Sequence, residues 1–339
     1  FINQMKTIII AEVGVNHNGY LENAFKLIKE AKSCGADFVK FQIFKSENLV
    51  DEHAEKAPYQ KRNMSEKSDS QFEMLKKLEL SFEDFVEIKQ ECEKNKVRFM
   101  ASAFDLESLN FLLNLNCDYV KIPSGEISNV PYLKGFKNCN SKIILSTGMS
   151  TIDDIEFALE ILASVGVDKK SISLLHCTSN YPCDLEEINM NSMVTIREKF
   201  GLDVGYSDHS SDNAVSSAAV AMGASIIEKH FTLDNQLEGP DHKASLNIKD
   251  FKKFVKSIRK IEKILGSSTK KPTDSEKETK KFVEKKIFAS KQILKGEKFS
   301  NLNMTTKRSK SGINSRDWDL VCSKEAIKDF QVGDLIEIE

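Results

Sequence analysis

The chain has 339 residues, more than twice the roughly 150 of one ordinary domain. It is 40% hydrophobic and 29% charged, with 49 Lys and Arg against 51 Asp and Glu, which gives it core-forming capacity but no global pull toward nucleic acid or anionic lipid. No apolar run approaches the ~20 residues of a membrane helix and no signal peptide is evident; seven scattered cysteines without a Cys-x-x-Cys pair suit reduced thiols in a cytoplasmic protein.

Phe1 to Gln4 precede Met5-Lys6, which reads as the natural start. From there β-branched apolar runs alternate with helical patterns. Expected strands are Thr7–Val13, Phe38–Gln42, Val97–Ser102, Tyr119–Ile122, Lys142–Thr147, Ser171–Cys177, Asp203–Ser207 and Ser225–His230. Expected helices include Leu21–Cys34, Phe82–Asn95, Ile152–Val165, Asn213–Met222 and Asn247–Leu265. The strands are almost continuously apolar, as parallel strands covered on both faces should be. Strand–helix repetition on this scale fits a (β/α)8 barrel over residues 5–265, since such barrels take roughly 250 residues. A doubly wound sheet is the rival, but its Gly-x-Gly-x-x-Gly turn is absent. Residues 266–281 are polar and charged and read as a linker. Residues 282–339 regain strand-like pieces at Lys286–Ser290 and Leu335–Ile338, the pattern of a small β-rich domain near the lower limit of independent stability.

Barrel enzymes place their chemistry at the C-terminal ends of the strands. In strand order, those ends carry Glu12; Lys40 and Gln42; Ser102; Lys121, Ser124 and Glu126; Ser146 and Thr147; His176, with Tyr181 beyond; Ser207, Asp208 and His209; and His230. Lys40 and Lys121 with Ser102, Ser124, Ser146 and Ser207 form a cradle suited to a compact anion bearing phosphate and carboxylate. Taken singly, each lysine is more simply a snorkelling strand-end residue. His209 and His230 end adjacent strands, where two imidazoles could hold a divalent ion, though a lone histidine is usually a satisfied core group. Glu12, Glu126 and Asp241 are the carboxylates available for acid–base work or for sugar hydroxyls, and Glu12 should be the most perturbed. His17 and His176 suit loop-holding roles, His242 stands in a turn-rich loop over the same rim that suits either closing on substrate or a plain turn, and the charge run 276–281 is solvated surface.

Several motifs resemble the bacterial sialic acid synthase family. They are Ile10-Ala11-Glu12-Val13-Gly14-Val15-Asn16-His17-Asn18-Gly19, Val39-Lys40-Phe41-Gln42, Lys121-Ile122-Pro123-Ser124-Gly125-Glu126 and Leu145-Ser146-Thr147-Gly148-Met149. Gly205-Tyr206-Ser207-Asp208-His209-Ser210, Glu228-Lys229-His230-Phe231-Thr232-Leu233-Asp234 and Gly239-Pro240-Asp241-His242-Lys243 follow in the same order. The segment 282–339 resembles the family's antifreeze-like (SAF) domain. The resemblance implies condensation of phosphoenolpyruvate with an open-chain N-acylmannosamine-type sugar, giving a nine-carbon 2-keto acid and phosphate. It makes Lys40, Ser102, Lys121, Ser124, Ser146 and Ser207 the phosphoenolpyruvate contacts. His209 and His230 become the ligands of a divalent ion, typically Mn2+ with Mg2+ or Co2+ as alternatives. Glu12 would handle the attacking water, making Glu12, Lys121, His209 and His230 the catalytic set. Gln42, Glu126, Tyr181 and Asp241 fall on the sugar side. Arg308 would reach from the small domain into a partner's barrel, which implies a domain-swapped homodimer acting without nucleic acid or membrane.

Departures from the family pattern are Ser102-Ala103-Phe104-Asp105 for Ser-Thr-Pro-Phe, Ser309-Lys310 for Pro-Gly after Arg308, and Cys183 two residues beyond Tyr181. The expected product is N-acetylneuraminate. The alternative is N,N'-diacetyllegionaminate, made from 2,4-diacetamido-2,4,6-trideoxymannose and suggested by Ala57-Pro58-Tyr59-Gln60. More distant alternatives are another phosphoenolpyruvate-dependent keto-acid synthase or aldolase and a non-enzymatic carbohydrate-binding scaffold.

Overall fold

Eight parallel strands close into a barrel in chain order. They are β1 (Ile8–Gly14), β2 (Phe38–Ile43), β3 (Arg98–Ala103), β4 (Tyr119–Ile122), β5 (Lys142–Ser146), β6 (Ile172–Cys177), β7 (Asp203–Asp208) and β8 (Ile226–His230). The computed structural model describes residues 6–64 and 68–339, so the Met5 start lies outside the described residues. The strands match the (β/α)8 expectation to within a residue at each end. The Leu21–Cys34 helix buries Ala24, Leu27, Ile28 and Ala31 against the barrel and ends at Gly35, whose φ of 95° supplies the left-handed cap. The Phe82–Lys94 and Ile152–Ser164 helices open on capping boxes from Ser81 and Thr151.

The barrel interior is layered. Ile10, Phe38, Met100, Ile144, Leu175 and Ile226 form one buried apolar cluster, one residue from each of six strands. Side chains on one face recur every second residue. Two residues further along those strands stand Glu12, Lys40, Ser102, Ser146, Cys177 and Glu228, all buried. Tyr119 on β4 leads to Lys121 in the same way, and Gly205 on β7 leads to Ser207. A charged and hydroxyl-bearing layer therefore sits directly on an apolar floor.

The excursion between β2 and β3 carries three helices that periodicity did not reveal ahead of Phe82–Lys94: Ser46–Leu49, Pro58–Asn63 and Gln71–Leu78. They are short, and their apolar residues turn toward the barrel mouth, so no long amphipathic stripe marks them.

A second compact unit runs from Ser267 to Glu339. The run read as a linker holds a helix, Asp274–Val283, started by the Thr273–Glu276 capping box. Local capping and i,i+3 charge pairs, such as Lys277–Asp274 at 2.8 Å, make it helical without any buried face. Strand β9 (Lys285–Ala289) pairs antiparallel with β10 (Met304–Arg308). Leu335–Ile338, expected as a strand, contributes only an isolated bridge from Leu335 to Phe288, while Ile336 is buried in the unit's core. That core also takes Ile287, Ile293, Phe299 and Phe330.

Candidate active site

A cavity of about 280 Å3 opens at the C-terminal ends of the strands. Its lining includes Glu12, Lys40, Gln42, Ser102, Lys121, Ser124, Ser146, Tyr181, Ser207, His209, His230 and Asp241. Parallel pairing sets many of these side by side, with Glu12 opposite both Lys40 and His230, and Ser102 opposite Lys121.

Two expected residues stand elsewhere. Glu126 lies outside the lining, in the 3-10 turn Ser124–Glu126, where its carboxylate accepts from Asn129 Nδ2 at 2.5 Å. Arg308 is exposed at the end of β10 in the second unit. Strand-end reasoning did not name Glu228 and Cys177, which also line the cavity, as does Tyr59 of the Ala57-Pro58-Tyr59-Gln60 motif. The two-residue step from buried Ile226 and Leu175 would have found Glu228 and Cys177, whereas attention to strand ends stopped at His230.

Glu228 is the electrostatic hub of the floor. Its Oε1 meets Lys121 Nζ at 2.5 Å and accepts from Ser207 Oγ at 2.9 Å, while its Oε2 lies 3.5 Å from Lys40 Nζ. Lys40 also pairs with Glu12 Oε2 at 2.9 Å and donates to Ser102 Oγ at 3.3 Å. Glu12 Oε1 accepts from Gln42 Nε2 at 3.1 Å. Two lysines and two carboxylates thus balance in a water-poor floor, as buried charges must.

The two glutamates are pushed in opposite directions. Burial raises Glu12 above the usual carboxylate range and the charge of Glu228 adds to the rise, outweighing Lys40. Burial opposes ionisation of Glu228 as well, but Lys121 and Lys40 together hold its carboxyl well below that range. Paired carboxylates with diverging proton affinities are the usual basis for separate acid–base and electrostatic roles. Asp241 is pushed up to about 7, by burial first and by Glu12 second.

His209 Nδ1 faces the Thr178 carbonyl at 2.7 Å, which fixes the ring and leaves Nε2 turned to Ser207 Oγ at 3.3 Å. The His209 and His230 ring centroids are 5.6 Å apart. Burial lowers His209 to about 4, and burial with the neighbouring His209 lowers His230 further. Both imidazoles are therefore neutral, the state a metal requires. His230 Nδ1 is buried without a hydrogen-bond partner among the described residues, 3.9 Å from Asp241 Oδ2. No group of three or more His, Cys, Asp or Glu placed to hold an ion occurs among the described residues, so the protein's share would be this pair. Two neutral imidazoles with an unsatisfied nitrogen fit a divalent ion whose remaining positions go to water and substrate.

Loops close around this centre. The Tyr181 ring lies 4.1 Å from that of His209 and 4.8 Å from that of Tyr59. Asn63 Nδ2 donates to the Pro240 carbonyl at 2.8 Å. His242 bridges Thr232 Oγ1 at 2.7 Å and Asn18 Oδ1 at 3.0 Å, and His176 Nε2 faces the Ile188 carbonyl at 2.8 Å; both hold loops. Cys183 also has a structural place, its N–H donating to the His209 carbonyl at 2.9 Å.

A barrel with a lysine–glutamate floor and a histidine pair at its mouth defines a class of enzymes acting on small anionic substrates. Residues 27–270 match the NeuB family, and the chain belongs to it. The N,N'-diacetyllegionaminic acid synthase of Campylobacter jejuni is 46% identical over 331 residues, covering 98% of this chain and 99% of its own. The enzyme of the same name from Legionella pneumophila is 44% identical over 313 residues, 92% of this chain and 88% of its own. The crystal structure of N-acetylneuraminic acid (sialic acid) synthetase from Leptospira borgpetersenii has a TM-score of 0.70 at 33% identity, covering 81% of this chain and 90% of that one.

Proposed function

We propose that this NeuB-family enzyme condenses phosphoenolpyruvate with 2,4-diacetamido-2,4,6-trideoxymannose, giving N,N'-diacetyllegionaminate and phosphate. The expectation of N-acetylneuraminate as product yields to this alternative, because two relatives at 46% and 44% identity over nearly the whole chain carry the legionaminic name. The observation that carries the donor half is the pairing of Lys40 and Lys121 with buried Ser102, Ser146 and Ser207 on one layer.

In this reading the lysines and hydroxyls bind the carboxylate and phosphate of phosphoenolpyruvate, and the anion competes with Glu12 and Glu228 for the lysines. A divalent ion, most readily manganese, held by His209 and His230 would polarise the acceptor aldehyde. Carbon 3 of phosphoenolpyruvate bonds to the aldehyde carbon, the aldehyde oxygen takes the electron pair and a proton to become a hydroxyl, and positive charge develops at carbon 2. Glu12, which lies beside Lys40 and has a raised pKa, would take the proton from the water that adds to carbon 2. The resulting tetrahedral centre loses phosphate by C–O cleavage. Lys40 and Lys121 stabilise the negative charge of the carboxylate and of the departing phosphate. Gln42, Tyr181 and Asp241 face the acceptor.

The small unit completes the assembly in the same proposal. Arg308, exposed on β10, serves a neighbouring subunit's acceptor site through a domain-swapped homodimer, as the resemblance to the antifreeze-like domain implies. A cytoplasmic setting is supported by seven free cysteines; among the described residues no helix is long and apolar enough to cross a membrane. The test is phosphate release with phosphoenolpyruvate, manganese or a chelator, and a panel of sugars. Release that requires phosphoenolpyruvate, the diacetamido sugar and metal is expected; release with every sugar or with none contradicts the proposal.

A further inference from the structure

The cavity has a second, apolar side that the condensation chemistry does not use. Val15 beyond β1 and Phe44 beyond β2 pack with Leu75 and Leu78 of the Gln71–Leu78 helix in a cluster separate from the barrel core, flanked by Leu49 and Val50. All six line the same cavity as the charged floor. The wall is braced by the protein itself. Asp105 Oδ2 accepts the Lys45 N–H at 2.9 Å, and Glu79 Oε2 accepts the Ser46 N–H at 3.0 Å and the Ser46 hydroxyl at 2.8 Å. Its shape is thus set before substrate arrives.

An acceptor whose aldehyde meets the His209–His230 pair has the apolar wall of the same cavity as lining for its far end. A terminal hydroxymethyl against aliphatic side chains would give up hydrogen bonds to water and gain none, whereas a methyl loses nothing. We infer that this wall selects acceptors ending in a methyl group, with Leu49, Val50 and Leu75 as specificity-determining residues. The inference rests on the proposed function, because it takes condensation with a diacetamido acceptor as given.

The test compares kcat/KM for 2,4-diacetamido-2,4,6-trideoxymannose with that for its 6-hydroxy counterpart, which differs only at carbon 6. The 6-deoxy sugar should be favoured by about 10- to 100-fold, the range an apolar pocket supplies for a single small group. Val50→Thr keeps the shape and adds a hydroxyl, and Leu49→Gln adds an amide. Each should lower that ratio by about threefold or more, chiefly through KM, with an unchanged thermal midpoint. Turnover of the two sugars within about twofold in the wild type, or an unchanged ratio in both variants, overturns the inference and leaves the proposed function standing. Condensation of neither sugar defeats both.

Discussion

Lys121 on β4 and Glu228 on β8, 107 residues apart in sequence, meet at 2.5 Å in the buried floor of the barrel. The same carboxylate reaches Lys40 at 3.5 Å, so one glutamate serves as counter-charge to both buried lysines. This neutrality lets the chain fold around two buried ammonium groups, and under the proposed function part of their pairing would pass to the anionic substrate.

Glu228→Gln keeps the volume and removes the charge. Breaking a buried pair in this way costs about 3–5 kcal/mol, so the thermal midpoint should fall. Phosphoenolpyruvate would then supply the missing negative charge and raise the variant's midpoint by more than it raises the wild type's. Thermal scans with and without phosphoenolpyruvate check this; equal midpoints and equal ligand shifts would contradict it.

His209→Ala removes one of the two imidazoles at the mouth and vacates the contact with the Thr178 carbonyl, 2.7 Å from Nδ1. Manganese affinity, read by electron paramagnetic resonance, should weaken at least about tenfold, and phosphate release should fall with it. Chelator-treated wild type should resemble the untreated variant. A variant with full release after metal removal would sink the metal assignment.

His17 governs a pH effect on stability. Its ring is buried, Nδ1 accepts the Gly19 N–H at 3.1 Å, and Nε2 has no partner among the described residues. Burial lowers it from 6.5 to about 4. The unfolded chain takes a proton that the folded chain refuses, so the stabilisation is complete above pH 6.5 and is lost as pH falls toward 4. At ~1.4 kcal/mol per pH unit, His17 accounts for about 3 kcal/mol across that window. Urea unfolding of wild type and His17→Gln at pH 7.5 and pH 4.5 should show a flatter pH dependence in the variant.

Gly19, next to this histidine, has a φ of 75°, and a Cβ there would collide with the Lys77 carbonyl of the Gln71–Leu78 helix. Gly19→Ala should cost about 1–3 kcal/mol and displace the apolar wall, raising KM for the acceptor more than for phosphoenolpyruvate. Equal changes in both KM values would show that the wall is not reached.

The barrel was legible because each buried strand is a short, largely apolar run set off from the helical patterns around it, and Tyr119–Ile122 needed no adjustment. Most of the site was legible through the rule that strand ends carry chemistry, which gave Glu12, Lys40, Lys121 and the histidines. The rule missed Glu228 and Cys177, which stand in the same inward-facing layer as Glu12 and Lys40, because attention went to the neighbouring His230 and His176; the two-residue step from the apolar layer below is what points to them. The wall was hidden for another reason: its residues come from β1, β2 and short helices, and only tertiary packing joins them. Asp274–Val283 shows the reverse case, a helix set by capping and charge pairs in a run whose composition suggests a linker.

The most direct measurement offers the enzyme both acceptors together. Equal concentrations of N-acetylmannosamine and 2,4-diacetamido-2,4,6-trideoxymannose, with phosphoenolpyruvate and manganese, are incubated and the nine-carbon products are identified by mass. The account predicts N,N'-diacetyllegionaminate as the dominant product, with one phosphate released for each molecule formed. N-acetylneuraminate as the dominant product, or consumption of phosphoenolpyruvate without either keto acid, would contradict it.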